Sequence, residues 1–230
     1  MRTFYRDYIG FILLVISLCL AVTFMFSELI TGTTAENRTE RMLLIDAGHG
    51  GEDGGAISVN GKPESQYNLQ IAIKLNDLLN LLGYDTFMLR TEDSDLHTEG
   101  ATIAQRKISD LKQRVNIANK FTNAILISIH QNHFHDNRYH GLQAFYYNQN
   151  SKALAENIQT AYKSYIAPEN RRLAQRKTGI YLLENIHCTA VLIECGFLSN
   201  YDEEQQLSDT VYQQKLASVI ACSVIGSDIY

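Results

Sequence analysis

The feature that most constrains the fold of this chain is an alternation of short apolar runs with amphipathic segments, which begins at Arg41 and continues almost to the C-terminus. Residues 125–127 and 191–193 are apolar on both faces, a pattern typical of central strands that are covered by helices on each side. Strand–helix alternation of this kind predicts an α/β fold. We therefore expect one three-layer domain, in which a twisted, mostly parallel or mixed six-stranded sheet lies between helices.

The individual elements follow from two hydrophobic periodicities. Short apolar runs predict strands at residues 42–46, 85–89, 124–130, 142–147, 179–183 and 190–194. Apolar residues that recur at three- and four-residue steps predict four helices. Their apolar faces are Leu75, Leu78, Leu79 and Leu82; Ile108, Leu111, Val115 and Ala118; Leu154, Ile158, Ala161 and Tyr165; and Leu216, Val219 and Ile220. Gly83 is placed to end the first of these helices.

The N-terminal part of the chain has a different character. Residues 8–26 form a nearly unbroken apolar run without charge, and Arg2 and Arg6 precede it. As a helix this run is about 28 Å long, close to the thickness of the hydrocarbon core of a bilayer. The arginines favour export of the rest of the chain. We predict that residues 1–26 are a signal peptide or membrane anchor, that residues 27–40 are a linker, and that the protein acts outside the cytoplasmic membrane. A buried core helix is the alternative.

Charge and cysteine content exclude several classes of protein. The formal net charge is −5 and the chain has no basic block, so we expect no nucleic-acid partner. None of the four cysteines forms a Cys-x-x-Cys pair, which argues against a thiolate metal site or a redox motif. Buried free thiols are a better interpretation of these cysteines than a disulfide, because their surroundings are apolar.

Three residues that could bind a metal lie at or beside the ends of predicted elements. His49 follows the first strand in the motif Asp-Ala-Gly-His-Gly-Gly, Glu64 stands before the first helix, and His130 ends the third strand. The C-terminal edge of an α/β sheet is where loops converge to build sites. Two imidazoles and a carboxylate are a common ligand set for catalytic zinc. Taken singly, each of these residues is more often structural or solvated.

A fourth polar residue, Glu194, follows three apolar residues at the end of the last predicted strand. A carboxylate is costly to bury there unless something compensates for the loss of water. One interpretation is a buried salt bridge or a capping role. The other is a general base, whose pKa is raised by partial burial and lowered by a nearby cation. The residues alone leave both interpretations open.

These four positions and their surroundings resemble the zinc-dependent N-acetylmuramoyl-L-alanine amidases of the type 3 family over about residues 41–228. The resemblance rests on five blocks in the family's order: residues 46–51, Glu64 with the helix after it, and residues 111–119, 128–132 and 191–200. Ala47 departs from the pattern, since many members of the family have proline there. The resemblance implies that residues 41–230 form a zinc amidase catalytic domain.

The resemblance also implies a reaction and the residues that perform it. The expected substrate is the amide between the lactyl group of muramic acid and the L-alanine of peptidoglycan. His49, Glu64 and His130 are the expected ligands of the Zn²⁺ cofactor. Glu194 is the expected catalytic residue, which takes a proton from water. A short chain with one predicted membrane segment and the motif Asp-Ala-Gly-His-Gly-Gly is most similar to the sporulation amidases that prepare muramic lactam in spore cortex.

Further residues near these positions are candidates for weaker roles. Arg90 ends the second predicted strand and Asn132 follows His130 by two residues, so both could bind substrate, although either could equally be structural. His133 and His135 are expected to line the rim of the site, although either could instead reach the metal or a carboxylate of the substrate. Arg106 and Arg114, on the second helix, are expected to make structural ion pairs.

Two other functions stay open from the sequence. One is a different zinc hydrolase of the cell wall, such as a stem-peptide peptidase or a sugar deacetylase, because the ligand set does not determine which bond is cut. The other is a non-catalytic, membrane-tethered wall-binding module that uses its metal structurally. Structural zinc sites normally have four protein ligands, so the lack of a fourth ligand argues against this module. Expected partners are peptidoglycan and, through the N-terminal segment, the membrane. An envelope accessory protein is a further candidate, because we recognise no polymer-binding repeat in the sequence.

Overall fold

The computed structural model describes residues 41–226, in which six strands form one sheet in the order β2-β1-β3-β6-β4-β5. These strands are β1 (Met42–Ala47), β2 (Thr86–Met88), β3 (Ala124–Asn132), β4 (Gln143–Tyr146), β5 (Gln175–Arg176) and β6 (Thr189–Phe197). Parallel pairs join β1 to β2, β1 to β3, β3 to β6 and β4 to β5, whereas β4 is antiparallel to β6. The prediction of a six-stranded parallel or mixed sheet is confirmed.

Helices cover both faces of this sheet. They are α1 (Glu64–Leu81), α2 (Ile103–Ala118), α3 (Lys152–Tyr165), α4 (Tyr181–Asn185), α5 (Tyr201–Ser208) and α6 (Thr210–Ile225), with a 3₁₀ turn at Gln149–Ser151. The apolar core on one face is built with α1, α3, α5 and α6, and the core on the other face with α2 and α4. The fold is therefore the expected three-layer α/β/α arrangement.

The side-chain alternation of the central strand explains why the chain adopts this arrangement. On β3, Ile125, Ile127 and Ile129 enter the core formed with α1, α3, α5 and α6, whereas Leu126 enters the core formed with α2 and α4. Successive strand residues point to opposite faces of a sheet. A strand that is apolar on both faces therefore has to lie between two helical layers, as the sequence of β3 predicts.

The ends of two helices are set by local sequence. Thr102 accepts a hydrogen bond from the main-chain N–H of Gln105, and the Gln105 side chain accepts one from the main-chain N–H of Thr102, so a complete capping box begins α2. After α1, Gly83 has a φ of 79°, a left-handed conformation that glycine adopts without steric cost. The predicted helix end at Gly83 is confirmed.

The structure corrects some details of the predicted elements. The sequence predicts a strand at residues 179–183, but α4 begins there, and its Leu182 and Leu183 are buried in the core with α2. The apolar run is short enough to suit either element, and the main-chain bond from Glu184 N–H to the Ile180 carbonyl closes a helical turn instead. The strand in this region is β5, which lies earlier in the chain.

The predicted apolar face of α2 is only partly correct. Val115 is buried, but Ile108 and Leu111 are exposed. The helix instead turns Asp110 and Arg114 inward, where they are buried. An ion pair with the sheet therefore sets the orientation of α2, and hydrophobic spacing alone does not reveal it.

Two further expectations concern cysteines and the N-terminal segment. Cys188, Cys195 and Cys222 are free thiols, as predicted. Their predicted burial holds fully only for Cys195, since Cys188 is half-buried and Cys222 faces the solvent side of α6; Cys19 lies outside the described residues. The predicted signal peptide or anchor (residues 1–26) and linker (residues 27–40) lie outside the described residues. No helix within residues 41–226 is long and apolar enough to cross a bilayer.

Candidate metal centre and catalytic site

The four residues singled out from the sequence meet at one edge of the sheet. His49 lies two residues beyond the carboxyl end of β1, and Glu64 is the first residue of α1. His130 of β3 is paired in register with Glu194 of β6. The parallel strands β1, β3 and β6 all end at this edge, where the loops of an α/β fold build sites.

The side chains of His49, Glu64 and His130 form a compact group of metal-binding atoms. Nε2 of His49 lies 3.3 Å from Oε2 of Glu64, and Nδ1 of His130 lies 3.1 Å from Oε1 of the same carboxylate. One ligand atom from each residue lies within 4.8 Å of the others. A tetrahedral zinc ion about 2.1 Å from each ligand requires ligand atoms about 3.4 Å apart, so these residues fit zinc.

The surroundings of Glu64 hold its carboxyl in the ionised form, which a metal ligand needs. Its burial alone would raise the pKa of the carboxyl, but hydrogen bonds and charge interactions with His130 and His49 hold that pKa far below its ordinary value. Its position in the first turn of α1 also favours the ionised form. Three further groups donate hydrogen bonds of 3.1 Å to this carboxylate: the main-chain N–H of Ala56, the main-chain N–H of Gln131 and Nδ2 of Asn68.

The loop that carries His49 has an unusual backbone. His49 has a φ of 60° and is the only non-glycine residue with positive φ in residues 41–226. Such a conformation is uncommon outside glycine and is often found at functional sites. A Cβ atom at Gly48 would lie 2.2 Å from the His130 ring, and one at Gly55 would lie 2.6 Å from Oε2 of Glu64. Glycine is needed at both positions because the loop passes so close to the side chains of His130 and Glu64.

Asp53 is a residue of this site that the sequence analysis does not identify. Its Oδ2 lies 2.9 Å from Nδ1 of His49, and its Oδ1 lies 2.7 Å from Nζ of Lys107. Burial alone would lower the pKa of His49, but the hydrogen bonds to Asp53 and Glu64 raise it to about 9. With Nδ1 bonded to Asp53, the ring presents Nε2 to Glu64. The available signal was a carboxylate four residues after His49 in a glycine-rich loop.

Glu194 is partly exposed as a residue, but one of its two carboxylate oxygens is buried. Within the described part of the chain, its Oε2 has no hydrogen-bond partner. Burial raises the pKa of Glu194 to about 7, helped by the negative charge of Glu64 and opposed by His130 and His49. A carboxyl with a pKa near neutrality both accepts and releases protons readily, as general acid–base catalysis requires.

Comparison with known proteins gives the family. Residues 43–225 match the family described as N-acetylmuramoyl-L-alanine amidase. The chain belongs to this family. The germination-specific N-acetylmuramoyl-L-alanine amidase of Bacillus subtilis (strain 168) is 38% identical over 184 residues, which are 78% of this chain and 76% of that protein.

Solved structures agree with this assignment. The CwlD amidase from Clostridioides difficile, solved in complex with the GerS lipoprotein, has a TM-score of 0.78 and 36% identity, covering 80% of this chain and 96% of that one. An N-acetylmuramoyl-L-alanine amidase from Clostridium difficile 630 has a TM-score of 0.71 and 32% identity, covering 80% of this chain and 95% of that one. The amidase is accordingly a hydrolase of peptidoglycan.

A buried ion-pair network supports the His49 loop of the amidase. Arg114 is paired with Asp46 and Asp110, and its guanidinium also donates to the main-chain carbonyl of His49 at 2.8 Å. Asp46 accepts a further hydrogen bond from Oγ of Ser128, at 2.6 Å. The expectation that Arg114 makes a structural ion pair is confirmed. The network joins α2, β1 and β3 directly behind the site.

Arg90 is a candidate for substrate binding or for a structural role, and its surroundings favour the second. Its side chain is buried. The guanidinium donates four hydrogen bonds of 2.7–3.0 Å to main-chain carbonyls, those of Ala47, Gly48, Ser65 and Glu92. We propose that Arg90 holds the loop before His49 in place, because most of its donors are already used there.

The remaining candidates lie on the accessible side of the site. Asn132 is partly exposed at the end of β3, two residues beyond His130, and stays a predicted substrate-binding residue. His133 and His135 are exposed. Their predicted place on the rim agrees with this exposure, since both follow β3 at the edge where the metal-binding atoms lie.

Proposed function

We propose that this protein is a zinc-dependent N-acetylmuramoyl-L-alanine amidase, which hydrolyses the amide between the lactyl group of muramic acid and L-alanine. One observation carries the proposal: Glu194, with an unsatisfied buried oxygen, is paired in register with His130 beside the His49–Glu64–His130 group. Three metal-binding side chains and a separate carboxylate are typical of catalytic zinc sites, in which a position is left open.

In the proposed mechanism the chain's own residues hold the metal and move protons. His49, Glu64 and His130 bind zinc, which when present polarises the carbonyl and lowers the pKa of water. Oε2 of Glu194 accepts a proton from the attacking water. The protonated carboxyl then delivers that proton to the nitrogen of L-alanine, so that the amine leaves in neutral form. Because β3 and β6 are paired, the proton acceptor Glu194 and the proposed ligand His130 stay at a fixed separation.

The biological setting that we propose is the spore cortex. The support is the similarity to a germination-specific amidase over most of the chain. Removal of the stem peptide exposes the lactyl carboxylate of muramic acid, which is the group needed to form muramic lactam. The protein therefore acts before the step that closes the lactam ring.

Identification of the products tests this function. The full-length protein, purified with zinc, is incubated with purified vegetative wall and with spore cortex, and the new termini are identified by mass spectrometry. We expect free lactyl groups on muramic acid and stem peptides with a new N-terminal L-alanine. Cleavage within the stem peptide would establish the peptidase alternative, and an absence of any product would favour the binding module.

The contact between Asp53 and His49 gives a prediction about metal affinity. Asp53→Ala removes the group that orients the imidazole, and loss of such a partner weakens metal binding by about 10–100-fold. We expect this decrease in zinc affinity, measured by competition with a chelating dye, without loss of secondary structure. Lys107→Ala is the matched control, because Lys107 touches Asp53 and is half-exposed, so its effect should be small. Unchanged zinc affinity in folded Asp53→Ala would contradict this role.

We also propose where the protein acts and with what. Residues 1–26 export or anchor the chain, so the catalytic domain lies outside the cytoplasmic membrane, in the wall or cortex space. Protease added to intact protoplasts should then digest it, and full protection would refute the topology.

The CwlD amidase was solved with a lipoprotein, and we propose that this chain also binds an envelope accessory protein. Equal rates on wall with and without proteins recovered from envelope extracts would argue against such a partner.

A further inference from the structure

Two exposed aromatic side chains lie on the loop that follows β3 and take no part in the proposed function. Phe134 and Tyr139 are 48% and 45% exposed, and their rings meet edge to face with centroids 4.8 Å apart. We call this pair the aromatic rim. Adjacent aromatic rings that face water at the edge of a site are typical of ligand-binding surfaces.

The aromatic rim belongs to the same sheet edge as the metal-binding atoms. Phe134 follows His130 by four residues, and the Tyr139 ring is stacked on Phe197, which follows Glu194 by three residues. Glu194 is paired with His130 and Phe197 with Asn132, because an irregularity in the pairing adds one residue to β6 between them. Strand residues advance about 3.3 Å each, so Phe197 lies about 7 Å beyond Glu194 along the sheet. A group bound at the rim is therefore a part of the substrate next to the scissile amide, and not the amide itself.

Hydrogen bonds to residues that follow β6 hold the backbone of the aromatic rim in place. The main-chain N–H of Phe134 donates to Oγ of Ser199 at 3.1 Å, and Nδ2 of Asn200 donates to the carbonyl of Asn137 at 2.9 Å. The Arg172 guanidinium lies over the buried Phe197 ring, 4.6 Å from its centroid. Binding to a surface that is already ordered costs little conformational entropy.

We propose that the aromatic rim binds a pyranose ring of the glycan strand, next to the muramic acid that carries the scissile amide. This inference rests on the proposed function. One face of a pyranose ring presents C–H groups that pack against an aromatic ring, while its hydroxyls stay free for hydrogen bonds. Polar side chains for those hydroxyls are exposed on the same loop, at His133, His135 and Asn137. The stem peptide, with charged and branched groups, offers no comparable flat apolar face.

Kinetics on two substrates test the proposal. One is a soluble glycan strand that carries stem peptides, and the other is a single N-acetylmuramoyl peptide without neighbouring sugars. We expect Phe134→Ala and Tyr139→Ala in the full-length protein to raise KM for the strand by about two- to tenfold each, as for loss of one aromatic contact. The kcat, the zinc content and the KM for the single-sugar substrate should not change. Phe134→Tyr and Tyr139→Phe keep the rings and should keep the KM.

A control variant and a binding measurement complete the test. Phe87→Ala removes a partly exposed aromatic ring of β2, an edge strand that β1 and β3 separate from β6, and should leave both KM values unchanged. An oligosaccharide of N-acetylglucosamine, added without peptide, should shift the NMR signals of Phe134 and Tyr139. Shifts caused only by free stem peptide would overturn the proposal, and so would an equal rise in KM for both substrates.

The outcome also separates this proposal from the proposed function. If the wild-type protein binds zinc but releases no L-alanine peptide, the proposed function fails. The NMR titration with peptide-free oligosaccharide still decides whether the rim binds sugar. If the wild type is active and the rim variants show wild-type KM on glycan strands, only the rim proposal fails.

Discussion

Replacing Glu194 with glutamine is expected to lower the rate of muramoyl–L-alanine hydrolysis by about 10²–10⁴-fold, the typical contribution of a positioned proton-transfer group. Glutamine has nearly the same shape as glutamate, but its amide cannot take a proton from water. The raised pKa of Glu194, about 7, makes the wild-type carboxyl well suited to this transfer. The measurement is kcat on a defined muramoyl peptide with zinc at saturation.

This variant separates chemistry from folding and metal binding. Glu194→Gln should retain zinc and secondary structure, because Glu194 is not one of the three clustered ligands. Glu156→Gln, an exposed carboxylate on α3 that pairs only with Lys152 among the described ion pairs, is the matched control and should keep full activity. Turnover near the wild-type rate in Glu194→Gln would show that another group takes the proton.

Loss of any one of the three proposed ligands is expected to have the second large effect. Loss of a residue that only orients a ligand weakens metal binding by up to about 100-fold. We expect His49→Ala, Glu64→Ala and His130→Ala each to weaken zinc binding by more than that. The variants should therefore be purified with little zinc and show little activity. Metal content measured by mass spectrometry, together with a chelator-competition affinity, checks this expectation.

A histidine far from the site supplies the control for these variants. His187 is exposed and lies just before β6 begins, at the opposite edge of the sheet from His130. His187→Ala should keep wild-type zinc content. Full zinc occupancy in all three ligand variants would remove the proposed metal site and leave the group of His49, Glu64 and His130 without an assigned function.

The sequence was informative wherever the physics is local or periodic. The apolar runs of β3 and β6 predicted central strands, because strands covered on both faces cannot alternate with polar residues. The placement of His49 and His130 at strand ends predicted that they would meet, since parallel strands end at one edge. Resemblance to a family then supplied the role of Glu194, which its surrounding residues alone left open.

Only the tertiary structure decided the features that depend on contacts between distant parts of the chain. The inward orientation of α2 follows from the pairing of Arg114 with Asp46, which are 68 residues apart. The position of Arg90 follows from carbonyls on the loop before His49. Among the described residues, Oε2 of Glu194 has no hydrogen-bond partner. A sequence pattern within β6 cannot predict this, because it depends on which residues of other segments lie nearby.

For Asp53, too, the sequence determined one part of the result and the tertiary structure the other. Its identity and its distance of four residues from His49 were visible in the sequence, but many carboxylates lie near glycine-rich loops without a role. The left-handed backbone at His49 turns the imidazole so that one nitrogen meets Asp53 and the other meets Glu64. The sequence by itself determined the layers, the central strands and the residues available at the edge. The three-dimensional fold determined which nitrogen and oxygen atoms face each other, because side-chain direction depends on backbone angles and on neighbours that are remote in the chain.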